Sequence, residues 1–306
     1  MRLLTIFVAA ALLAGSAFRN ADAQMRGHGG PVRAVAISPD GEFVLSGGFD
    51  SAAILWSLRT NSAAQVLRGH ENSVNAVAFL ADGKAATAGE DGRINIWSRG
   101  EQVPRTLTGH TGPIAALAVS PDGVTLASAS WDHTVRLWPL AGGEPRVLSG
   151  HTQNVNAVAF TADGRRVVSG GYDASIRIWN ISGEEATRIV ELASPINSLA
   201  IAPDGEIIAG AADGKLRFLS SQGNERAGVQ VSETPLIAVA ISPDARLVAA
   251  AGIRGSVAIV ERTTRSVQRT LVGPGLPVWS LAFAPDNRTL ITGGTDRLVR
   301  RWDATT

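Results

Sequence analysis

The chain has 306 residues, 45% of them apolar, with 28 basic against 27 acidic side chains and a formal net charge of +1. Such a length and apolar content suit a large buried core, and the balanced, evenly spread charge offers no basic stripe for nucleic acid. Cysteine is absent, which excludes a disulfide framework, thiolate metal ligation and a cysteine-linked lipid anchor.

The first 23 residues read as a leader rather than as part of a fold. Met1-Arg2 is a short positive start, Leu3 to Ala14 is an apolar run, and Ala21-Asp22-Ala23 is a small-x-small cleavage site. This is the pattern of a secretory signal peptide, too short to span a bilayer. A second cleavage position lies after Ala17. The short Ala-rich leader points to a bacterial protein, periplasmic or secreted, with no membrane insertion once the leader is removed. The expected organisation is a signal peptide over 1–23 and one folded unit over 24–306.

From Gly27 onward a unit recurs. An Asp followed after five residues by Trp stands about 22 residues beyond a Gly-His pair. The Asp slots are Asp50, Asp91, Asp132, Asp173, Asp213, Arg254 and Asp296, at intervals of 41, 41, 41, 40, 41 and 42. A period in this range predicts one four-stranded blade per repeat. Repeat four shows the strands most clearly: Val155 to Phe160, Arg166 to Gly170 and Ser175 to Trp179, each rich in β-branched or aromatic residues and bounded by turn residues. Asp-Gly pairs at 40, 82, 122, 163 and 204 mark the first hairpins, where positive φ is wanted. A fourth strand is expected after each Trp.

These features resemble the WD40 family of seven-bladed β-propellers. The resemblance spans residues 24–306, with Gly-His at 27–28, 69–70, 109–110 and 150–151 and the closing Trp at 56, 97, 138, 179 and 302. It implies an all-β fold of seven antiparallel blades and a buried His, Ser or Thr, Asp and Trp chain in each complete blade. Four complete sets are legible: His28, Ser46, Asp50, Trp56; His70, Thr87, Asp91, Trp97; His110, Ser128, Asp132, Trp138; and His151, Ser169, Asp173, Trp179. Repeat six has lost the set, with Ser232, Ala250, Arg254 and Val260 in its slots. Repeat five keeps only Asp213, expected to serve its own turn, and repeat seven has Thr292, Asp296 and Trp302 with Pro274 in the His slot. Closure of the ring predicts that residues around 22–26 pair with Leu298 to Trp302 as the outer strand of blade seven.

Ser, His and Asp together suggest a hydrolase, but the set recurs four times at one spacing and no G-x-S-x-G elbow accompanies it. Metal ligation lacks any His pair within one turn or strand, no phosphate loop is complete, and no cofactor is expected. Aromatics beyond the closing Trp residues are more informative. Phe49, Trp131 and Tyr172 precede a repeat Asp, and Glu90 fills the same slot in repeat two. By the resemblance, this slot lies at the top-face rim of the central channel. Arg33 and Trp279 fill another top-face slot, held by Asn75, Asn156 and Asn197 in other repeats. Aromatics converging on one face compose a protein-binding hot spot. The expectation is a non-enzymatic periplasmic scaffold for a protein or peptide partner, bound through Arg33, Phe49, Glu90, Trp131, Tyr172 and Trp279. One alternative is small-molecule binding or catalysis at the channel mouth, through the asparagine set. Another is a propeller module working with a c-type cytochrome, although this chain has no C-x-x-C-H.

Overall fold

A computed structural model describes residues 23–183, 185–273 and 275–305. The signal-peptide reading of residues 1–22 and the Pro274 position lie outside the described residues. Within them, 28 strands form seven four-stranded antiparallel sheets. Blade one is typical: Val32–Ile37, Phe43–Gly48, Ala52–Ser57 and Ser62–Arg68, in that order from channel to rim. Every expected strand of repeat four is present to within one residue, at Val155–Phe160, Arg166–Gly171 and Ser175–Asn180.

Blade seven closes the ring as expected. Ala23–Arg26 pairs antiparallel with Leu298–Asp303, placing Ala23 opposite Arg301 and Arg26 opposite Leu298. The strand therefore begins one residue ahead of the expected 24–306 boundary. Met25, 1% exposed, fixes this clasp by entering the cluster between blades seven and one, with Val32, Ile54, Trp56 and Val299.

The core is a ring of interfaces. Seven apolar clusters each join one blade to the next, so the two middle strands of a blade are buried on both faces. Gly-His glycines have a packing reason: a Cβ on Gly27 or Gly69 would lie 2.8 Å from the ring edge of Trp56 or Trp97. Blades five and six, which lack the histidine sets, share an ionic joint on the face opposite the Gly-His loops. There Glu206, 4% exposed, accepts hydrogen bonds from Arg265 at 2.5 Å and Arg262 at 3.2 Å, and Arg262 also pairs with Asp204 at 2.8 Å.

Candidate functional site

The top face, which carries the Gly-His loops and the Asp turns, is held by the buried sets. In blade three, His110 Nδ1 lies 2.7 Å from Asp132 Oδ2, and Nε2 lies 2.7 Å from Ser128 Oγ. Ser128 Oγ also accepts the Trp138 indole N–H at 2.8 Å. With Asp132 ionised, Nδ1 carries the proton and Nε2 accepts from the serine hydroxyl, so each buried polar atom in the chain is partnered. The same geometry holds in blades one, two and four. Burial opposes ionisation of Asp132, yet hydrogen bonds from His110 and Thr134 outweigh it and hold the carboxyl far below its ordinary value. Burial also pushes His28 and His151 down, against the pull of Asp50 and Asp173.

The sets position the rim. Asp132 Oδ2 accepts Thr111 N–H at 3.1 Å and Oδ1 accepts Thr134 N–H at 3.0 Å. That locks the Gly-His loop to the Asp turn, and the Trp131 N–H is tied to the Pro113 carbonyl at 2.9 Å. His133, in the next turn position, is exposed with φ of 70°.

Blades five and seven depart from the sequence-based expectation. Asp213 does more than serve its turn: it takes a two-pronged hydrogen bond from Arg217, at 3.0 and 2.5 Å, and Arg217 is 5% exposed. In blade seven Arg300 pairs with Asp296 through a single guanidinium nitrogen, and Trp302 still donates to Thr292 at 2.9 Å. A guanidinium on the third strand thus replaces imidazole as the partner of the turn Asp.

One further device aims side chains into the channel mouth. Every first strand carries a bulge against its second strand, and the extra residue is Arg33, Asn75, Ala115, Asn156, Asn197, Ile237 or Trp279. A bulge leaves one residue unpaired and re-aims its side chain. Four of the six sequence-predicted site residues, Arg33, Trp131, Tyr172 and Trp279, are brought together around a depression of about 360 Å³, which Ile253, Pro235, Ile237 and the three asparagines also line. Phe49 and Glu90 are exposed on the same rim slot but do not line it.

The aromatics are not equivalent. Tyr172 is 51% and Trp131 39% exposed, with the Trp131 indole N–H reaching Asn156 Oδ1 at 3.2 Å. The Tyr172 hydroxyl has no hydrogen-bond partner among the described residues. Trp279 differs from the expected exposed aromatic: it is half-buried, its N–H donates to Thr295 Oγ1 at 2.8 Å, and the Arg33 guanidinium carbon sits 4.5 Å above its ring. Ile253, 41% exposed, precedes Arg254 in repeat six and so occupies the slot that Phe49 fills in repeat one. The asparagines are largely structural. Asn156 and Asn197 donate across to the Ile196 and Leu236 carbonyls of the following blades, at 3.1 and 2.8 Å, so each of these two amides already has one N–H engaged by the frame.

A larger trough of about 720 Å³ lies on the opposite face between blades seven and one. Its one ring, Phe43, is covered by Arg99 at 4.5 Å, and its charged lining residues are Glu42, Asp286, Arg59, Arg99 and Arg301. Among the described residues there is no cluster of three or more His, Asp, Glu or Cys able to hold a metal ion, and no helix long and apolar enough to cross a membrane.

The family model described as WD domain, G-beta repeat (WD40) matches residues 21–57, 61–98, 101–139, 142–180, 187–219 and 265–303. The chain belongs to the WD40 family. Residues 220–264, between the last two WD40 matches, cover the slots in which repeat six has Ser232, Ala250, Arg254 and Val260. No curated protein matches the chain closely enough to stand as a relative. WD40 propellers are typically protein-interaction scaffolds without catalytic activity, and this chain has their rigid ring and an aromatic channel mouth.

Proposed function

We propose that the protein is a non-catalytic scaffold of the bacterial periplasm that holds a protein or peptide partner on the top face of its propeller. The observation that carries the reading is the convergence of Trp131, Tyr172 and Ile253, all more than a third exposed, on one depression beside a stacked Arg33–Trp279 pair. Large rings with wet edges on a pre-shaped frame are the composition of interface anchors. The bulges and the turn hydrogen bonds pre-organise them, which lowers the ordering cost of association. The hydroxyls of the Ser-His-Asp sets do not compete with this reading: Ser46, Ser128 and Ser169 are fully buried and each is engaged by both His and Trp. The leader pattern over residues 1–23 supports export.

The test is a comparative capture. The wild-type ring and the Trp131→Ala/Tyr172→Ala double variant are used as baits in extracts of cells that make the protein, alongside a Thr60→Ala control on the opposite face. Anchors contribute about 2 kcal/mol or more each, so the double variant loses its partner while the control keeps it. A double variant that captures the same partner as strongly as wild type overturns the reading.

A further inference from the structure

Among the described residues, Arg33 is the one charged side chain that lines the channel mouth. Arg217 and Arg300 are paired with Asp213 and Asp296, and Arg262 and Arg265 with Glu206. Arg33 is half-buried at the channel mouth, yet its guanidinium has no hydrogen bond or ion pair among the described residues. Glu90 is near enough to act on it through its charge but does not form an ion pair with it. Burial pushes the guanidinium below its ordinary value, and the charge of Glu90 offsets only part of that. Its position is nevertheless fixed, by the bulge at Arg33, by the stack on Trp279 and by the Thr295 hydrogen bond that holds that ring. A fixed fork of N–H donors at the mouth, with no acceptor among the described residues, is shaped for a planar oxyanion.

The same depression supplies what would lie next to that oxyanion. Trp131, Tyr172 and Ile253 offer apolar surface, and the free Tyr172 hydroxyl offers a donor or acceptor for a peptide group. Resting on the top-face reading above, we infer that the channel mouth takes a peptide segment carrying a carboxylate beside an apolar side chain, with the carboxylate seated on Arg33. Charge complementarity decides the sign: the one charged side chain lining the mouth is positive, and an acidic ligand neutralises it. Glu90 then acts as a competitor, since its carboxylate repels an incoming acid.

The probes are fluorescent hexapeptides, acetylated and amidated, with Glu placed one to three residues from Phe or Leu. Matched peptides carry Gln for Glu or Ala for the apolar residue, and a further Gln series has a free C-terminal carboxylate. Binding is read by anisotropy at low and high salt. A carboxylate-bearing peptide with its apolar neighbour binds about tenfold or more tighter than its Gln-amide or Ala counterpart. The amide-capped Glu series and the free-terminus series show whether side chain or chain end supplies the acid. Arg33→Gln removes the preference for Glu over Gln, Arg33→Lys retains only part of it, and Glu90→Gln, a surface change, tightens binding of the acidic peptides. Equal binding of Glu and Gln peptides, or a Glu preference that survives in a folded Arg33→Gln protein, overturns the assignment. So does failure of the whole series to bind. None of these results touches the broader top-face reading, which fails if partner capture is indifferent to Trp131 and Tyr172.

Discussion

Replacing Ser128 by Ala removes the centre of one buried chain with minimal change in volume. Ser128 Oγ receives the Trp138 N–H at 2.8 Å and lies 2.7 Å from His110 Nε2, and it is 0% exposed. The substitution strands the indole N–H and the imidazole nitrogen, in a site that water does not reach. Each unpaired buried group costs about 1–3 kcal/mol, so a loss of about 2–5 kcal/mol is expected. For a chain of this length, about 2 °C of melting temperature corresponds to each kcal/mol, which gives a fall of about 4–10 °C. Calorimetry and urea unfolding followed by tryptophan fluorescence measure it. The companion substitution is Ala209→Ser in blade five, where the neighbouring slots are Leu192 and Leu219. It puts a hydroxyl at the same position without the His and Trp partners and is expected to destabilise rather than stabilise. A Ser128→Ala protein as stable as wild type, or an Ala209→Ser protein more stable than wild type, would refute the claim that the hydroxyl is there to complete a chain of partners.

Asp213→Ala removes the hydrogen-bond acceptor of the enclosed Arg217 and leaves it only Glu225 at 3.8 Å, and a loss of about 2–3 kcal/mol is expected; Asp213 is 31% exposed, which keeps the figure below that of a sealed pair. Urea unfolding checks it, and a neutral result would mean that the arginine does not replace the histidine. Met25→Ala should cost about 2–5 kcal/mol, because the side chain is 1% exposed in the closing cluster; its melting curve, compared with that of an exposed-site control such as Val103→Ala, tests whether the clasp holds the ring. Acidification should destabilise the fold in two windows. His28 and His151 are depressed below 6.5, so the unfolded chain takes up protons first and stability falls as pH drops below about 6.5. Asp50, Asp91, Asp132 and Asp173 are depressed below 3.8, so their contribution is complete above that value and is lost as pH falls through their folded values. Urea midpoints from pH 8 to 3 measure the first window and the onset of the second, and a stability that rises on acidification below 6.5 would contradict the buried-neutral histidines.

Much of the fold was legible because the repeat writes the same constraint several times. The period located the blades, and the Asp-x5-Trp spacing located four complete chains that the structure shows atom for atom. Closure was legible because Ala21-Asp-Ala-Gln-Met-Arg26 precedes Gly27-His28 as Ala63-Ala-Gln-Val-Leu-Arg68 precedes Gly69-His70. The partnership of Arg217 with Asp213 was not. Arginine also stands at that slot in blades three and four, as Arg136 and Arg177, where histidine already partners the Asp. Spacing cannot say which way a long side chain turns when an imidazole is missing. The Glu206 joint was hidden for a similar reason, since its acid sits in an ordinary Asp-Gly turn and its arginines arrive from another blade 56 to 59 residues away. For the candidate site, the two slots were visible as sequence positions, but the bulge that aims one of them into the channel is a property of strand pairing. Exposure also sorted the aromatics in a way that composition could not: Tyr172 projects, whereas Trp279 serves as a platform under Arg33.

The central claim is that the partner sits on the channel mouth of the top face. A photo-crosslinking side chain at Tyr172 or Ile253, compared with one at Thr60 or Lys84 on the opposite face, tests it most directly in cells that make the protein. The account predicts a discrete protein adduct from positions 172 and 253, lost when Trp131 is changed to Ala, and none from 60 or 84. Adducts that form only from positions 60 and 84 would contradict it.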